Sequence, residues 1–341
     1  MLLKKLTNAL GVSGNEKEVR NLITNEIKDH VDIVRTDRIG NIIAEKKSAN
    51  YSSYRIVLTA HMDEVGLMVK GMEDNGMIRF TLVGEIDPRI LVSKVVTIGK
   101  EKIQGVIGAK AVHMQKREER EKALSVDDLY IDIGSKSKEE SEEVISIGDY
   151  ISFNSDFVEF GGNKAKAKAL DNRAGCHILI DVLRDELPIN ITAVFTVQEE
   201  IGLRGAEVAA NQLQGDLIIV LEATNASDSS GIEPHHQVAE LDKGPAISIM
   251  DQSSIYNKKN IDLLIQVANK YNIPWQYRRT ASGSNDAGKF HIAHIGTPCL
   301  SIAVPCRYIH SPVSILSKDD LNNTKLLLIK YLEEISRGGV L

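Results

Sequence analysis

The chain has 341 residues, 43% of them hydrophobic and 26% charged, enough to bury the core of one or two globular domains. A net charge of −6 argues against nucleic acid or an anionic membrane surface as a main partner. No apolar run approaches the roughly 20 residues of a membrane span. The start, MLLKKLTNALGVSGNE, has two lysines with no apolar stretch behind them, so no signal peptide is read and a cytoplasmic location is expected.

Along the chain, residues 15–29 place Val19, Leu22, Ile23 and Ile27 at helical spacing, with Asn15 as the expected cap. Strands are expected at NIIAE (41–45) and RIVLTA (55–60). From about Glu73 to Lys164 short β-type segments (MIRFTLV, KVVTIG, KIQGVIGA, LYIDIG, DYISF) alternate with glycine-bearing turns. Inside this stretch the charge run 116–123 reads as a solvated loop or helix face. After Asp171 helices and strands alternate. AGCHILIDVLRD is a helix, NITAVFTV a strand, AEVAANQL a helix and DLIIVLEA a strand. NIDLLIQVANKYNI is a helix, TPCLSIAVP a strand and LNNTKLLLIKYLEEI a last helix. The pattern predicts an α/β fold with helices on both faces of its sheet, interrupted by a small β-rich unit. Cys176, Cys299 and Cys306 lack CxxC spacing and read as small buried residues in a reducing compartment.

Acids and histidines gather where the apolar strands end. RIVLTA runs into His61, with Asp63 two residues on. FTVQ runs into Glu199 and Glu200, DLIIVL into Glu222, and LSIAVP leads to His310. Asp171 sits in a loop before a helix. In open α/β sheets ligands bind outside the carboxyl ends of the strands, so these residues, spread over about 250 positions, can converge. Each alone has a plainer reading: a structural histidine, a solvated Glu–Glu turn, a helix cap at Asp171. Together they are the inventory of a two-metal site. Two divalent cations would bring +4. Asp171, Glu200 and Glu222 with a bridging hydroxide would balance it, and bound cations would relieve the repulsion between adjacent carboxylates. The H-x-D spacing suits Asp63 to fixing the tautomer of His61.

The motifs AHMDEVG, KALDNRAG, QEEIGLRGA, the strand ending in Glu222 and RYIHSP follow in an order and spacing that resemble the M42 metallo-aminopeptidases, and the resemblance covers nearly the whole chain, including the β-rich insertion and the stretch RRTASGSNDAG at 278–288. These are the TET-type enzymes, also labelled glutamyl aminopeptidases and endoglucanases. The resemblance implies a zinc-peptidase-type α/β domain from residues 1–66 and 166–341, interrupted by a β-rich dimerisation domain at 67–165. It implies a dinuclear centre in which Asp171 bridges two divalent ions, zinc first, with cobalt or manganese as alternatives. His61 and Glu222 would complete one site, and Glu200 and His310 the other. Glu199 would be general base and acid, and Asp63 would orient His61. The implied reaction is removal of N-terminal residues from short peptides by a metal-bridging hydroxide. The implied assembly is a homo-oligomer of dimers forming a tetrahedral dodecamer. Two positions depart from the family pattern. Glu222 stands where many members carry Asp, with Asp228 as the next candidate, and SGSNDAG replaces the usual GGTDAG. The ligand set alone also admits a metal-dependent N-acyl amino acid deacylase. Side-chain preference is not readable from the sequence.

Overall fold

Apolar runs alternate with amphipathic segments at both ends of the chain, and in the computed structural model these become the strands and helices of one large sheet layer; residues 1–48 and 54–338 are described. Helices α1 (Leu2–Asn8) and α2 (Lys17–Ile27) precede β1 (Ile33–Thr36), β2 (Ile42–Lys46) and β3 (Ile56–His61). The middle of the chain forms β4 (Gly66–Met72), β5 (Ile78–Val83), β6 (Val95–Ile98), β7 (Ile103–Ala109), α3 (Arg117–Arg120), β8 (Leu129–Asp132), α4 (Lys138–Glu142) and β9 (Tyr150–Phe153). Next come β10 (Val158–Phe160), β11 (Lys164–Ala167), α5 (Leu170–Arg184), β12 (Ile191–Thr196), α6 (Arg204–Ala210), β13 (Leu217–Asn225) and β14 (Ala246–Ile247). The chain ends with α7 (Lys258–Lys270), β15 (Gln276–Tyr277), α8 (Ala287–Ile292), β16 (Cys299–Arg307), β17 (Ser314–Ser317) and α9 (Lys318–Ser336).

The large sheet runs β1-β2-β12-β3-β13-β16-β17-β11-β10, with β14 and β15 branching from β16. Its centre is parallel: β12 pairs with β3, β3 with β13, and β13 with β16. Both flanks are antiparallel. Strand β3 is buried along its whole length and β13 and β16 along nearly all of theirs. A parallel sheet covered on both faces requires such continuous apolar strands. One helical group, α1, α2, α5 and α9, packs together, while α6 pairs with α8. Glycine at position 175 lets α5 approach β13. A Cβ there would lie 2.7 Å from the Leu221 carbonyl and 2.4 Å from Asn172 Oδ1.

The intervening β-rich stretch closes into a six-stranded barrel, β4-β5-β8-β7-β6-β9. It has its own core, including Leu67, Val69, Phe80, Ile98, Ile131 and Ile151. Strands β10 and β11 return to the large sheet. The charge run contains exposed α3. The expected Asn15 cap is not formed: α2 starts at Lys17 after Glu16, whose own carboxylate accepts the Gly14 N–H at 2.6 Å. Among the described residues no helix is long and apolar enough to cross a membrane.

Candidate metal centre

Four neighbouring parallel strands each deliver one part of the site. Across the sheet, β12 leads into Glu199 and Glu200, β3 ends in His61, β13 carries Glu222, and β16 leads to His310. Asp171 comes from the start of α5, where its backbone (φ −86°, ψ 107°) departs from the helix. The next residue fixes that start to the sheet: Asn172 Nδ2 donates to the Leu221 carbonyl at 2.9 Å, and Asn172 Oδ1 accepts the Gly175 N–H. The loops are held in sparsely populated conformations. Ala169, Gln198 and His310 all have φ near +54°, the left-handed region that costs non-glycine residues of order 1–3 kcal/mol each.

Asp171 lies between the two imidazoles. Its Oδ1 is 3.3 Å from His61 Nε2 and its Oδ2 is 3.6 Å from His310 Nε2. His61 Nε2 is also 3.3 Å from Glu222 Oε1, and His310 Nε2 is 3.2 Å from Glu200 Oε2. Ligand-type atoms of His61, Asp171 and Glu200 all fall within 4.8 Å of one another, as do those of His61, Glu199 and Glu222. Every residue expected to bind metal from the sequence therefore borders one cleft, of about 550 Å³, and Glu199 borders it too. Among the described residues no hydrogen bond or ion pair restrains the Glu199 carboxylate. Asp228, the substitute candidate for Glu222, is committed elsewhere: its two oxygens accept from Arg307 Nε and Nη2 at 2.7 and 2.8 Å.

The electrostatics of these clustered carboxylates are unfavourable. Burial pushes Glu199 and Glu200 well above the usual carboxylate range, and neighbouring acids add to it, while His61 opposes. Burial raises Glu222 to about 7 against the pull of His61. Burial would lower the pKa of His61, but Glu222, Glu199, Asp171 and Asp63 overcome it and raise it well above its ordinary value. No Lys or Arg among the described residues comes within 4.0 Å of Asp171, Glu199, Glu200 or Glu222. Glu222 Oε2 and His61 Nδ1 are buried without a hydrogen-bond partner. Oxygen and imidazole donors, clustered, unneutralised and partly orphaned, fit divalent cations.

Asp63 is fully buried beside this set. Its Oδ1 sits 3.4 Å from His61 Nδ1. It also accepts Ser13 Oγ–H at 2.6 Å and the backbone N–H groups of Glu199 and Glu200 at 3.0 and 3.2 Å. Burial would raise its pKa, but the adjacent imidazole of His61 and the hydrogen bonds from Ser13 and Glu199 outweigh this and hold it below the ordinary value. Two further residues were not singled out in the sequence. Asp286, at the start of α8, is buried; its Oδ2 accepts the hydroxyls of Thr59 and Thr196, on the two strands that lead to His61 and Glu199. Burial raises it to about 6. Arg278 lines the cleft, whereas its neighbour Arg279 turns away to Glu240 and the Pro234 carbonyl. His235 and His236 are exposed, Trp275 packs edge-on against Tyr277, and all three cysteines are buried.

Comparison with known proteins places this geometry in context. The family model described as M42 glutamyl aminopeptidase matches residues 40–327. A putative aminopeptidase from Acetivibrio thermocellus is 39% identical over 333 residues, 97% of each chain. The crystal structure of a TET aminopeptidase from a marine sediment archaeon, a thaumarchaeote, superposes with a TM-score of 0.94 at 33% identity, covering 99% of this chain and 98% of that one. The TET1 peptidase of Pyrococcus horikoshii, described as assembling into a tetrahedron or a large octahedral shell, has a TM-score of 0.84 at 33% identity over 96% and 97% of the two chains.

Proposed function

The chain belongs to the M42 family of aminopeptidases, and on that premise we propose that it is a dinuclear metallo-aminopeptidase that removes the first residue of short peptides. The observation that carries this reading is the place of Asp171, with one carboxylate oxygen towards each imidazole. Asp171 would be shared between two divalent ions, His61 and Glu222 completing one set and Glu200 and His310 the other. Zinc, cobalt and manganese all suit these donors. Divalent ions held there supply Lewis acidity and make water a competent nucleophile near neutral pH.

The chain's own groups do the rest. Glu199, unrestrained at the cleft, takes the proton of the attacking water on a carboxylate oxygen and returns it to the leaving amine. Positioned proton transfer of this kind contributes typically about 10²- to 10⁴-fold. Asp63 holds the Glu199–Glu200 turn by its backbone and the imidazole of His61 by its edge.

The proposed assembly is a homo-oligomer joined through the barrel. Val95, Val106, Val112 and Met114, on the barrel strands and the loop after β7, are exposed by 43, 46, 67 and 67%, apolar surface suited to a second copy. Aminopeptidase chemistry requires a free α-amine. Aminoacyl-p-nitroanilides should therefore be hydrolysed and their N-acetylated forms should not. Equal release of p-nitroaniline from both would replace this reading with a general amidase, and release of acetate with the anilide left intact would replace it with a deacylase.

A further inference from the structure

Asp286 is 1% exposed, yet its own segment makes no use of its carboxylate. It stands at the start of α8 without capping it, and the Ala287 N–H donates instead to Asn285 Oδ1 at 2.9 Å. The carboxylate reaches into the sheet. Its Oδ2 accepts the hydroxyl of Thr59 at 3.3 Å and that of Thr196, while its Oδ1 is buried with no hydrogen-bond partner. A buried carboxylate with a bare oxygen opposes folding, so stability alone does not account for an acid here. Both threonines are fully buried. Thr59 and His61 are alternate residues of β3 and share a face of the sheet. Thr196, the last residue of β12, is the register partner of His61. Asp286 therefore meets the sheet on the face that bears the imidazole.

The pairing of β3 with β12 ends at His61 and Thr196. Beyond that rung the β12 chain leaves the sheet: the Val197 N–H goes to Asn41 Oδ1 at 3.0 Å and Gln198 takes φ +55°. Glu199 follows at once. Asp286 thus grips the last rung before the proposed base, and Asp63 grips the turn beyond it. On its other side Asp286 continues the segment Ser282, Gly283, Ser284 and Asn285, which lines the cleft. Asn285 is itself fixed, its Nδ2 donating to the Tyr256 hydroxyl at 3.1 Å and to Ser301 Oγ at 3.2 Å. One carboxylate oxygen therefore joins the cleft wall to the strand ends that present His61 and Glu199. We propose that Asp286 is a positioning residue of the hydrolytic site, setting the placement of His61 and Glu199 through the hydroxyls of Thr59 and Thr196. A misplacement of about 1 Å can cost about 10²-fold in rate, so a tie that touches no reacting atom still governs turnover. This rests on the aminopeptidase reading above.

The test uses the cobalt-loaded full-length protein and its Asp286→Ala, Asp286→Asn and Thr196→Val variants, on the aminoacyl-p-nitroanilide that wild type cleaves fastest, with rates taken per metal-loaded subunit. Alanine removes the acceptor. Asparagine keeps one oxygen for both hydroxyls and sets its N–H₂ where Oδ1 already lacks a partner. Asp286→Ala should keep its metal but shift the visible absorption of the bound cobalt, which follows ligand geometry. Its kcat should fall by about 10- to 100-fold with KM changed by less than about 3-fold. Asp286→Asn should recover the spectrum, and kcat to within about 3-fold of wild type. Thr196→Val, of the same shape without the hydroxyl, should lose part of kcat. Added to Asp286→Ala it should cost nothing more, because both remove one tie. A wild-type spectrum and kcat in Asp286→Ala would reduce Asp286 to packing and overturn the proposal. Asp286→Asn as impaired as Asp286→Ala would place the effect in the charge, and additive losses would deny the tie; either overturns it. If Asp286→Ala fails to fold, Thr196→Val decides, and an unchanged spectrum and kcat there overturns the proposal. If wild type cleaves no aminoacyl-p-nitroanilide, the aminopeptidase reading falls, and the cobalt spectra alone still decide whether Asp286 positions His61.

Discussion

Asp63 accepts the backbone N–H of Glu199 at 3.0 Å, through the same oxygen that faces His61 Nδ1 at 3.4 Å. One carboxylate thus ties the proposed base to a proposed metal ligand, and its other oxygen takes the Glu200 N–H and the Ser13 hydroxyl. Asp63→Asn keeps the shape but turns an N–H₂ group towards at least one of these donors. Metal affinity and kcat should each fall by about 10- to 100-fold, the usual cost of losing a group that orients a ligand. Metal titration alongside the anilide assay checks this; unchanged values in both would remove Asp63 from the site.

Glu199 and Glu200 should separate on mutation. Glu199→Gln should retain metal and lose about 10²- to 10⁴-fold in turnover. Glu200→Gln, altering a group 3.2 Å from His310 Nε2, should weaken metal binding itself. Metal content by elemental analysis, set beside kcat for each variant, distinguishes the two. Loss of metal from Glu199→Gln would make it a ligand rather than the base.

The central strands were legible because each is a continuous apolar run that ends at a chemistry-bearing residue, and topology then requires the ends of parallel neighbours to converge. Other features depend on contacts that no local pattern encodes. Strand β1 is short and largely exposed, and β4 is broken by a register shift between Val69 and Gly71. Arg278 and Arg279 are chemically identical neighbours. Only the register of two-residue β15 decides which one meets the cleft, because successive side chains point to opposite faces. Asp286 acquires its place from Thr59 and Thr196, far away in sequence and adjacent only after β3 and β12 pair. Asp63's grip on the Glu199–Glu200 turn is equally non-local.

Without metal, the protein should be less stable at higher pH. Glu222 has a folded pKa of about 7 against 4.5 for an ordinary glutamate, and Asp286 is at about 6 against 3.8. Between those values the folded chain keeps protons that the unfolded chain has released. The stability is therefore full below about pH 4.5 and is lost as pH rises through 7, on the order of 3 kcal/mol from Glu222 alone. Metal binding should flatten this slope and release protons. Thermal unfolding of chelated and metal-loaded protein from pH 5 to 8 tests it; parallel pH profiles would contradict it.

Glu64 should matter for stability rather than chemistry. It is buried with Lys168, at 2.6 and 2.7 Å, and with Arg173 at 3.3 Å, and it accepts the Gly11 N–H at 3.0 Å. Arg173 and Lys168 also donate to the Ala9 carbonyl. This cluster clamps the segment after α1 beneath the loops that carry Asp63 and Asp171. Glu64→Gln would leave two buried cations without an anion and should cost about 3–5 kcal/mol by urea unfolding. A change under about 1 kcal/mol would show that water reaches the cluster.

The most direct test of the dinuclear account is the rate of aminoacyl-p-nitroanilide hydrolysis against the number of divalent ions bound per subunit, starting from chelated protein. The account predicts no turnover in the stripped protein and a rate that reaches its plateau at two ions per subunit. Full turnover without metal, or a plateau at one, would contradict it.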